Sequence, residues 1–321
     1  MNEYNVVVAS DRNYIGFVSV LFASILATKK EDERIRFHVL ANDIPIDFLN
    51  PLYAQMKNEE LSIYPIENLK EKLGIQVPNT IAITSYARLF LAEILPSSID
   101  RVLYLDCDII INDSLGSLFS IDLTDYYVAG VLDTLPNNDS KLKVGLSDKD
   151  SYINAGMLLI NLEKWRSDNV MTLFLDFLQK HNGCVHHHDQ GIINGVLKKK
   201  YILNPEFNLT SNYFTHKYSY LNKTNNPFYS FEMIERAKAN PIIIHFTEGF
   251  LDRPWVKGSK HPFRNRFLEF KKMSIIADEP LQESKKTWYV KLLGFEFIHL
   301  PLFIYNTTSY FLSFFSKILK R

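Results

Sequence analysis

The sequence predicts an α/β protein organised around a mostly parallel central sheet. Apolar, β-branched runs typical of buried strands alternate with segments of helical periodicity, which is the pattern of a doubly wound sheet with right-handed crossovers. The chain has 321 residues, of which 46% are hydrophobic and 22% charged, so it can form one large globular domain with additions. The run at residues 101–112 is apolar on both sides of two acids, as expected of a strand covered on both faces.

The first half of the chain predicts four strands and the helices between them. Val6, Val7 and Val8 form a buried-strand run, and apolar residues spaced from Ile15 to Ile25 predict a helix directly after it. The predicted strands are residues 5–9, 35–40, 61–66 and 101–112, and the later predicted helices are residues 46–58 and 84–96.

The second half predicts three further strands and two helices. The strands are residues 127–131, 152–162 and 241–247, and the helices are residues 163–180 and a segment that starts near Asp189. The polar run at 135–150 predicts a mobile loop. Small residues at the entry of the second of these strands, Ala155 and Gly156, would let the backbone approach a ligand.

Composition and motifs exclude several classes of protein. Lysine plus arginine and aspartate plus glutamate are equal at 36 each, so nucleic acid is not an expected partner. The sequence shows neither the glycine-rich dinucleotide fingerprint nor the lysine loop of ATP-binding folds. Cys107 and Cys184 give no disulfide framework, and the amino terminus does not resemble a signal peptide, which favours a cytoplasmic location.

Asp106 and Asp108 are the strongest chemical signal in the chain. Acids at positions i and i+2 share one face of a strand, and at a strand end they can converge on a hard cation such as Mg²⁺ or Mn²⁺. Ionised carboxylates inside an apolar run are costly unless a positive group satisfies them. The alternative is that the two acids only end a strand and cap the next turn.

Other polar positions each allow two interpretations. Arg88 lies among apolar residues, where its guanidinium would pair with a diphosphate, with an acid of the site, or in a structural ion pair. Asp11 and Asp189 would either meet a ligand or cap the helices that follow them. The adjacent histidines 186–188 do not share a face, which favours a solvated loop over a metal site. His245 follows a strand and is either structural or a third metal ligand.

Several motifs together resemble a known family, the retaining nucleotide-sugar glycosyltransferases of family 8, in particular the bacterial galactosyl- and glucosyltransferases of lipopolysaccharide assembly. The resemblance depends on the order of the motifs, which are Ala9 to Tyr14, Tyr86 to Arg88, Arg101 to Asp108, Asn154 to Leu162, Asp189-Gln190, His245 to Thr247 and Arg253 to Trp255. It implies a single GT-A type, Rossmann-like domain at residues 1–275. That domain would transfer galactose or glucose from a UDP-sugar to a saccharide acceptor.

The resemblance also implies the residues of the site. Mn²⁺, with Mg²⁺ also possible, would be held by Asp106, Asp108 and His245 and would bridge the diphosphate. The donor-binding residues would be Ala9, Asp11, Asn13, Tyr14, Arg88, Asp106, Cys107, Asn154, Ala155, Asp189, Gln190, Gly249 and Arg253. Within this set, Tyr14 would stack on uracil, and Gly249 and Arg253 would contact phosphate, although the family commonly has lysine in place of Arg253.

Asp189 and Gln190 are the candidate catalytic residues. Retention of configuration requires either a nucleophile beside the anomeric carbon or same-face attack, in which the leaving phosphate activates the acceptor hydroxyl. Gln190 is a poor nucleophile, Asp189 is expected to bind sugar hydroxyls, and Gly191 stands where close relatives often have a second acid. Same-face attack is therefore the favoured mechanism.

Residues 276–321 differ in character from the rest of the chain, because aromatic residues and leucines interleave with lysines. Lys291, Glu296 and Pro301 interrupt the apolar run well short of the roughly 20 residues that a membrane-spanning helix needs. We expect a helical extension that lies on the inner membrane surface, so that the protein is peripheral at the cytoplasmic face. The alternative is a pair of helices packed on the catalytic domain.

Two other functions compete with the transferase. Metal-dependent phosphatase-type hydrolases also place Asp-x-Asp after a strand, but their motif continues with glycine and threonine, where this chain has Ile109 and Ile110. A non-catalytic sugar-nucleotide-binding membrane scaffold would not need a complete set of metal ligands. The sequence leaves open the donor sugar, the acceptor, which is a saccharide or a lipid-linked oligosaccharide, and the oligomeric state.

Overall fold

The computed structural model describes residues 2–73, 83–135, 137–224, 228–301 and 303–310, and within these ranges ten strands form two sheets. The strands are β1 (Asn2–Ser10), β2 (Glu33–Asn42), β3 (Glu60–Ile66), β4 (Arg101–Leu105), β5 (Ile109–Ile111), β6 (Val128–Val131), β7 (Met157–Asn161), β8 (Lys200–Leu203), β9 (Leu209–Thr210) and β10 (Ile243–His245). The central sheet has the order β3-β2-β1-β4-β7-β6-β8, and the smaller sheet has the order β5-β10-β9.

In the central sheet, β7 runs against its neighbours. It pairs antiparallel with β4 and β6, whereas β1 pairs in parallel with β2 and β4, β2 with β3, and β6 with β8. The prediction of an α/β fold with a mostly parallel central sheet is therefore confirmed. Ligands of such sheets bind beyond the carboxyl ends of the parallel strands, which directs attention to the residues after β1, β4 and β6.

Helices cover the sheet and fill the connections between strands. They are α1 (Ile15–Thr28), α2 (Ile46–Gln55), α3 (Leu69–Leu73), α4 (Leu91–Ile94), α5 (Gly116–Phe119), α6 (Asn138–Lys143), α7 (Leu162–Ser167), α8 (Val170–Lys180), α9 (His188–Val196), α10 (Asn212–Thr215), α11 (Tyr218–Thr224), α12 (Phe231–Ala239), α13 (Arg264–Lys271) and α14 (Trp288–His299). Short 3₁₀ helices lie at Ile83–Phe90 and Pro205–Phe207, and residues 303–310 are helical.

Successive residues of β1 belong to different parts of the core, because neighbouring side chains of a strand point to opposite faces of the sheet. Val6 and Val8 belong to one buried cluster, whereas Val7 and Ala9 belong to a second cluster. A third cluster surrounds β5 and β10 and contains Trp255. Burial of β1 on both faces explains its nearly continuous apolar sequence.

The sequence predicts a single strand at residues 101–112. The structure instead has two strands there, in different sheets. β4 pairs with β1 and β7 in the central sheet, and β5 pairs with β10 in the smaller one. Asp106, Cys107 and Asp108 form the connection between them. Both halves are apolar because each is buried, and the acids lie where the chain passes from one sheet to the other.

Three other predicted segments also differ in the structure. The helix predicted at 84–96 is a 3₁₀ helix followed by the short α4. The helix predicted at 163–180 is broken between α7 and α8 at Asn169, whose φ of 49° is left-handed, a conformation that asparagine tolerates. The loop predicted at 135–150 contains α6, which begins where the side chain of Asn137 accepts a hydrogen bond from the backbone N–H of Ser140 at 2.9 Å.

The end of the described chain packs on the domain that the two sheets form. We call residues 282–299, which include α14, the C-terminal arm. One face of α14 is buried through Phe297, whose ring lies 4.9 Å from that of Phe250 and 4.8 Å from that of His216. Ile276, the first residue of the extension predicted at 276–321, lies in the third core cluster. Among the described residues, no helix combines the length and apolar content of a membrane span.

Candidate functional site

The strand ends bring together three residues that are distant in sequence. Asp106 and Asp108 follow β4, and His245 is the last residue of β10. The antiparallel register of β10 on β5 places His245 opposite Ile109, and the N–H of Phe246 donates to the carbonyl of Asp108 at 2.8 Å. Backbone pairing therefore sets the position of the imidazole beside the two acids.

The three side chains converge within the reach of one ion. His245 Nε2 lies 3.1 Å from Asp108 Oδ1 and 4.0 Å from Asp106 Oδ2. One ligand atom of each residue lies within 4.8 Å of the others. The Nδ1–H of His245 donates to Asn208 Oδ1 at 3.1 Å, which leaves Nε2 facing the carboxylates. Two carboxylates and an imidazole are a donor set that suits a divalent cation.

Gly156 keeps this space open. A Cβ at this position would lie 2.3 Å from His245 Cε1 and 2.8 Å from Asp106 Oδ2, closer than atoms can approach. Any side chain at residue 156 would therefore displace two of the three prospective ligands. Asp106, Asp108 and His245 therefore fit a metal ion, because Gly156 has no side chain that would fill the space between them.

Burial and charge act in opposite directions on the ionisable groups of the cluster. Burial raises the pKa of Asp108, but His245 and Arg253 beside it lower that pKa to a net value below the ordinary one. Burial lowers the pKa of His245, and Asp108 reverses this effect, so the net pKa is raised. Each group thus stabilises the charged form of the other. The carboxylate stays ionised as a cation ligand must, and a cation that binds here takes the place of the proton on His245 Nε2.

A cavity of about 380 Å³ opens beside Asp106, and its walls carry several predicted donor-binding residues. Those residues are Arg88, Asp106, Asn154, Ala155, Asp189 and Gln190. We call this space the smaller cavity. Its side chains come from the 3₁₀ helix Ile83–Phe90, the end of β4, the entry to β7 and the first turn of α9.

Arg88 joins the two sides of the smaller cavity. Its guanidinium lies 2.8 Å from Asp106 Oδ1 and 3.0 Å from Asp189 Oδ2, so Arg88 pairs with acids of the site, one of the alternatives considered for it. Ser85 donates to the other oxygen of Asp189 at 3.1 Å. Residues three apart eclipse each other in a 3₁₀ helix, which is how Ser85 and Arg88 both reach Asp189. Burial raises the pKa of Asp189, and Arg88 counteracts part of that rise.

A chain of amide groups connects His245, a prospective metal ligand, to Gln190. Asn208 Nδ2 donates to Asn154 Oδ1 at 2.9 Å, and Asn154 Nδ2 donates to Asp133 Oδ2 at 3.1 Å. Gln190 Nε2 donates to the same oxygen of Asp133 at 2.9 Å, and Gln190 Oε1 accepts from the N–H of Ala155 at 3.0 Å. The orientation of the Gln190 amide is therefore set at both ends.

Asp133 and Asn208 are the residues that sequence reasoning missed. Asp133 comes two residues after the last residue of β6, so the rule that ligands collect at the carboxyl ends of strands would have found it. Asn208 precedes β9, which has only two residues, and the sequence around it carries no pattern that points to a site. Ser85 lies in the helix predicted at 84–96 but was not among the predicted site residues.

A second cavity, of about 790 Å³, contains the other predicted donor contacts. We call this space the larger cavity. Asn13, Tyr14, Gly249 and Arg253 line it, and Trp255 forms part of its wall. Arg253 donates to Asp108 Oδ2 at 3.1 Å. The cluster is thus in contact with one cavity through Asp106 and with the other through Asp108 and Arg253.

Ala9, Asp11 and Cys107 lie near the cluster without lining either cavity. The Cys107 thiol donates to the carbonyl of Ala9 at 3.2 Å, which joins the end of β1 to the acidic connection. Asp11 Oδ1 accepts from the N–H of Asn13 at 2.8 Å and closes a turn. It does not cap α1, whose N-cap residue is Tyr14.

The structure also tests the two alternatives considered above, a solvated loop for histidines 186–188 and helix capping for Asp189. His187 is the N-cap residue of α9, so Asp189 is inside the helix and does not cap it. His186 and His187 are half-buried, and His187 Nδ1 lies 3.0 Å from the Tyr152 hydroxyl, whereas His188 is exposed, so this run is only partly solvated. Within the described ranges, the groups of possible metal ligands include Asp106, Asp108 and His245 and none of these histidines.

Comparison with known proteins agrees with this geometry. A putative glycosyltransferase of Haemophilus influenzae is 32% identical over 213 residues, which are 64% of this chain and 63% of that protein. A lipopolysaccharide 1,2-glucosyltransferase of Escherichia coli is 25% identical over 298 residues, which are 88% of this chain and 82% of that protein. The structure of the galactosyltransferase LgtC with donor and acceptor sugar analogues superposes with a TM-score of 0.71 at 27% identity, covering 86% of this chain and 98% of that one.

These similarities identify the fold as GT-A-like. The model of one family, described as glycosyl transferase family 8, matches residues 5–257. That range contains the acidic connection, His245, and every other residue named above as a lining residue of the smaller cavity. The chain therefore belongs to glycosyl transferase family 8 and is a glycosyltransferase.

Proposed function

We propose that the protein is a retaining, Mn²⁺-dependent hexosyltransferase that moves glucose or galactose from a UDP-sugar to a saccharide acceptor. The observation that carries this proposal is the position of Asp106, Asp108 and His245 between two cavities of different chemistry. One similar protein is a lipopolysaccharide glucosyltransferase and another is a galactosyltransferase. Assembly of lipopolysaccharide or another surface glycan is the process that fits them.

The two cavities suit the two ends of a sugar nucleotide. The larger cavity has aromatic walls at Tyr14 and Trp255, which suit a nucleobase. Gly249 and Arg253 also line it, and Arg253 contacts Asp108, so the phosphates would lie here. Ala9 and Asp11, at the end of β1, and Cys107, which follows β4 and donates to the Ala9 carbonyl, would complete the donor contacts. The smaller cavity is lined by carboxylates and amides, which suit sugar hydroxyls.

Asp106, Asp108 and His245 would hold Mn²⁺, and their oxygen and nitrogen donors would also accept Mg²⁺. When bound, the cation neutralises the charge that develops on the departing diphosphate. Asn208 holds the His245 imidazole in the tautomer that leaves Nε2 available. Arg253 adds a second positive group next to Asp108.

The side chains near the sugar favour same-face transfer without a covalent intermediate. Both oxygens of Asp189 are already engaged, one by Arg88 and one by Ser85, and Gln190 carries an amide that is not a nucleophile. The acceptor oxygen would bond to the anomeric carbon on the face from which the phosphate oxygen leaves, and the acceptor proton would pass to that phosphate oxygen. A glycosyl ester on Asp189, detected by mass spectrometry, would contradict this mechanism.

The direct test is a screen of UDP-glucose, UDP-galactose and other nucleotide sugars for release of the nucleoside diphosphate. We expect release from one UDP-sugar with Mn²⁺, weaker release with Mg²⁺ and none after chelation. A phosphatase-type hydrolase would instead release inorganic phosphate from monoesters. A non-catalytic scaffold would bind the nucleotide sugar but not turn it over.

We also propose that the exposed face of α14 lies on the cytoplasmic surface of the inner membrane, consistent with a lipid-linked acceptor. Trp288, Leu292 and Phe295 recur at helical spacing on this face, and Trp288 is 71% exposed. The sequence beyond the described residues, 311–321, continues with phenylalanine, leucine and lysine. In flotation with anionic phospholipid vesicles, Trp288→Ser with Phe295→Ser should lose binding. The matched control Phe231→Ser, on α12, should retain it.

A further inference from the structure

The wall of the larger cavity is built from two parts of the chain. Asn13, Tyr14, Gly249 and Arg253 come from the domain that holds the metal cluster, whereas Lys285 and Tyr289 come from the C-terminal arm. The arm lies outside the region that the family model matches, which ends at residue 257. Its contribution to the cavity therefore lies outside the matched family region.

The arm is attached to the segment that links His245 to Trp255. Backbone hydrogen bonds join Gln282 N–H to the carbonyl of Trp255 at 2.9 Å and Lys257 N–H to the carbonyl of Gln282 at 2.8 Å. Lys286 donates to the Phe250 carbonyl at 3.0 Å and lies 3.3 Å from Asp252. These contacts hold the beginning of the arm against residues 250–257.

The same segment contacts the metal ligands on its other side. Arg253, one residue after Asp252, donates to Asp108 Oδ2 at 3.1 Å and to the Phe246 carbonyl at 3.0 Å. The arm, residues 250–253 and the cluster therefore form a continuous set of direct contacts. A nucleotide in the larger cavity would therefore contact the arm at one end and the cluster at the other.

Among the described residues that line this wall, one cation has no protein partner. Arg253 is paired with Asp108, and Lys286 is paired with Asp252. Lys285 is exposed and has no hydrogen bond or ion pair with any residue in the described part of the chain. An ammonium group without a protein partner, on the wall of a cavity next to a cation site, suits an anionic group of the ligand.

Aromatic surface on the arm complements this charge. Tyr289 lines the cavity and is 43% exposed, and Tyr14 lies on the catalytic side of the same cavity. An aromatic ring with an exposed face can stack on a nucleobase or a ribose. The arm thus offers a phosphate contact and a nucleoside contact four residues apart.

We propose that the C-terminal arm is part of the nucleotide-binding site, with Lys285 contacting the diphosphate and Tyr289 contacting the nucleoside. This inference rests on the proposed function, because it takes the ligand of the larger cavity to be a nucleoside diphosphate. It assigns nucleotide affinity to a segment that the family motifs do not contain.

The test compares two arm variants with matched controls by calorimetric titration of UDP in the presence of Mn²⁺, using the full chain. Lys285→Glu should weaken UDP binding about tenfold, since it replaces an attraction to phosphate by a repulsion. Tyr289→Ala should weaken it about fivefold through loss of ring contact. Lys291→Glu reverses the charge of an exposed lysine of α14 that does not line the cavity. Tyr53→Ala removes a tyrosine that is 42% exposed on α2. Both controls should bind UDP as the natural chain does.

A second ligand separates the two contacts. Lys285→Glu should leave uridine binding unchanged, because uridine has no phosphate, whereas Tyr289→Ala should weaken UDP and uridine alike. Melting curves would verify that all four variants fold. Equal UDP affinity of the arm variants and their controls would overturn the inference and leave the proposed function standing. If the natural chain binds none of UDP, GDP, ADP and CDP, the proposed function and the inference both fail.

Discussion

The two cavities beside the cluster of Asp106, Asp108 and His245 are built in opposite ways. In the smaller one, the polar side chains hold each other: Asp106 and Asp189 share Arg88, and Asp133 holds Asn154 and Gln190. The larger one has exposed aromatic and charged side chains and takes part of its wall from the C-terminal arm. A preorganised polar network suits the reacting sugar, and an adaptable wall suits binding of the nucleotide. Variants of the first should therefore lower kcat, and variants of the second should raise KM.

The largest effect should come from the cluster that both cavities share. Asp108→Asn removes the carboxylate that meets both His245 and Arg253, so activity should fall about a thousandfold. The measurement is release of UDP from the donor at saturating Mn²⁺. Asp125→Asn, at an exposed acid outside both cavities, is the control and should keep full activity. Comparable activity of the two variants would remove the cluster from the mechanism.

Gly156→Ala should have the next largest effect, without any change of charge. The added methyl group overlaps His245 and Asp106, and displacement of about 1 Å at a reacting site costs roughly a hundredfold in rate. Mn²⁺ affinity, measured by calorimetry, should fall together with activity. A variant that melts like the natural chain and binds Mn²⁺ equally well would show that the space at residue 156 is not used by a metal.

Asp133→Asn would test the network of the smaller cavity. The new amide presents a donor where Asn154 and Gln190 both donate to a carboxylate oxygen, so the Gln190 amide should lose its orientation. We expect kcat to fall about tenfold to a hundredfold with little change in donor KM. Asp139→Asn, an exposed acid paired with Lys143, is the control. A rise of KM alone would mean that this network binds the donor and does not orient it.

Tyr14→Ala would test the larger cavity. Loss of the ring that faces the cavity should raise donor KM about tenfold through lost stacking, while kcat stays near its natural value. Steady-state kinetics with the preferred UDP-sugar gives both constants. A fall in kcat with unchanged KM would contradict the division of roles between the cavities.

The smallest effect concerns stability where the domain meets the C-terminal arm. Burial lowers the pKa of His216, which packs against Phe297, to about 4, below its ordinary value of 6.5. The unfolded chain binds the proton more readily, so the stability associated with neutral His216 is full above pH 6.5 and is lost as pH falls towards 4. The slope is at most about 1.4 kcal/mol per pH unit.

His216→Phe keeps an aromatic ring in this contact and removes the titrating group. Urea unfolding of the natural chain and of this variant, above and below pH 6.5, measures the difference. We expect the variant to lose less stability on acidification than the natural chain does. Identical pH dependence of the two proteins would show that His216 does not contribute to the acid sensitivity.

Residue patterns predict a site well when its members follow strands and poorly when they are joined only by side-chain contacts. Asp106, Asp108 and His245 were named together from motif order, and the structure brings them together. Asn208 links to His245 and Asn154 across 37 and 54 positions, and no local pattern reports such a pairing. The division of 101–112 between two sheets was equally hidden, because burial makes both halves apolar.

The sequence by itself determined the α/β class, the mostly parallel sheet and the family, since periodicity and ordered short motifs are properties of neighbouring residues. Only the tertiary structure decided which polar groups pair, how Gly156 leaves space for an ion, and that the C-terminal arm helps to wall the larger cavity. The reason is physical: strand and helix propensities act over a few residues, whereas hydrogen bonds and close packing join positions that only the folded chain brings together.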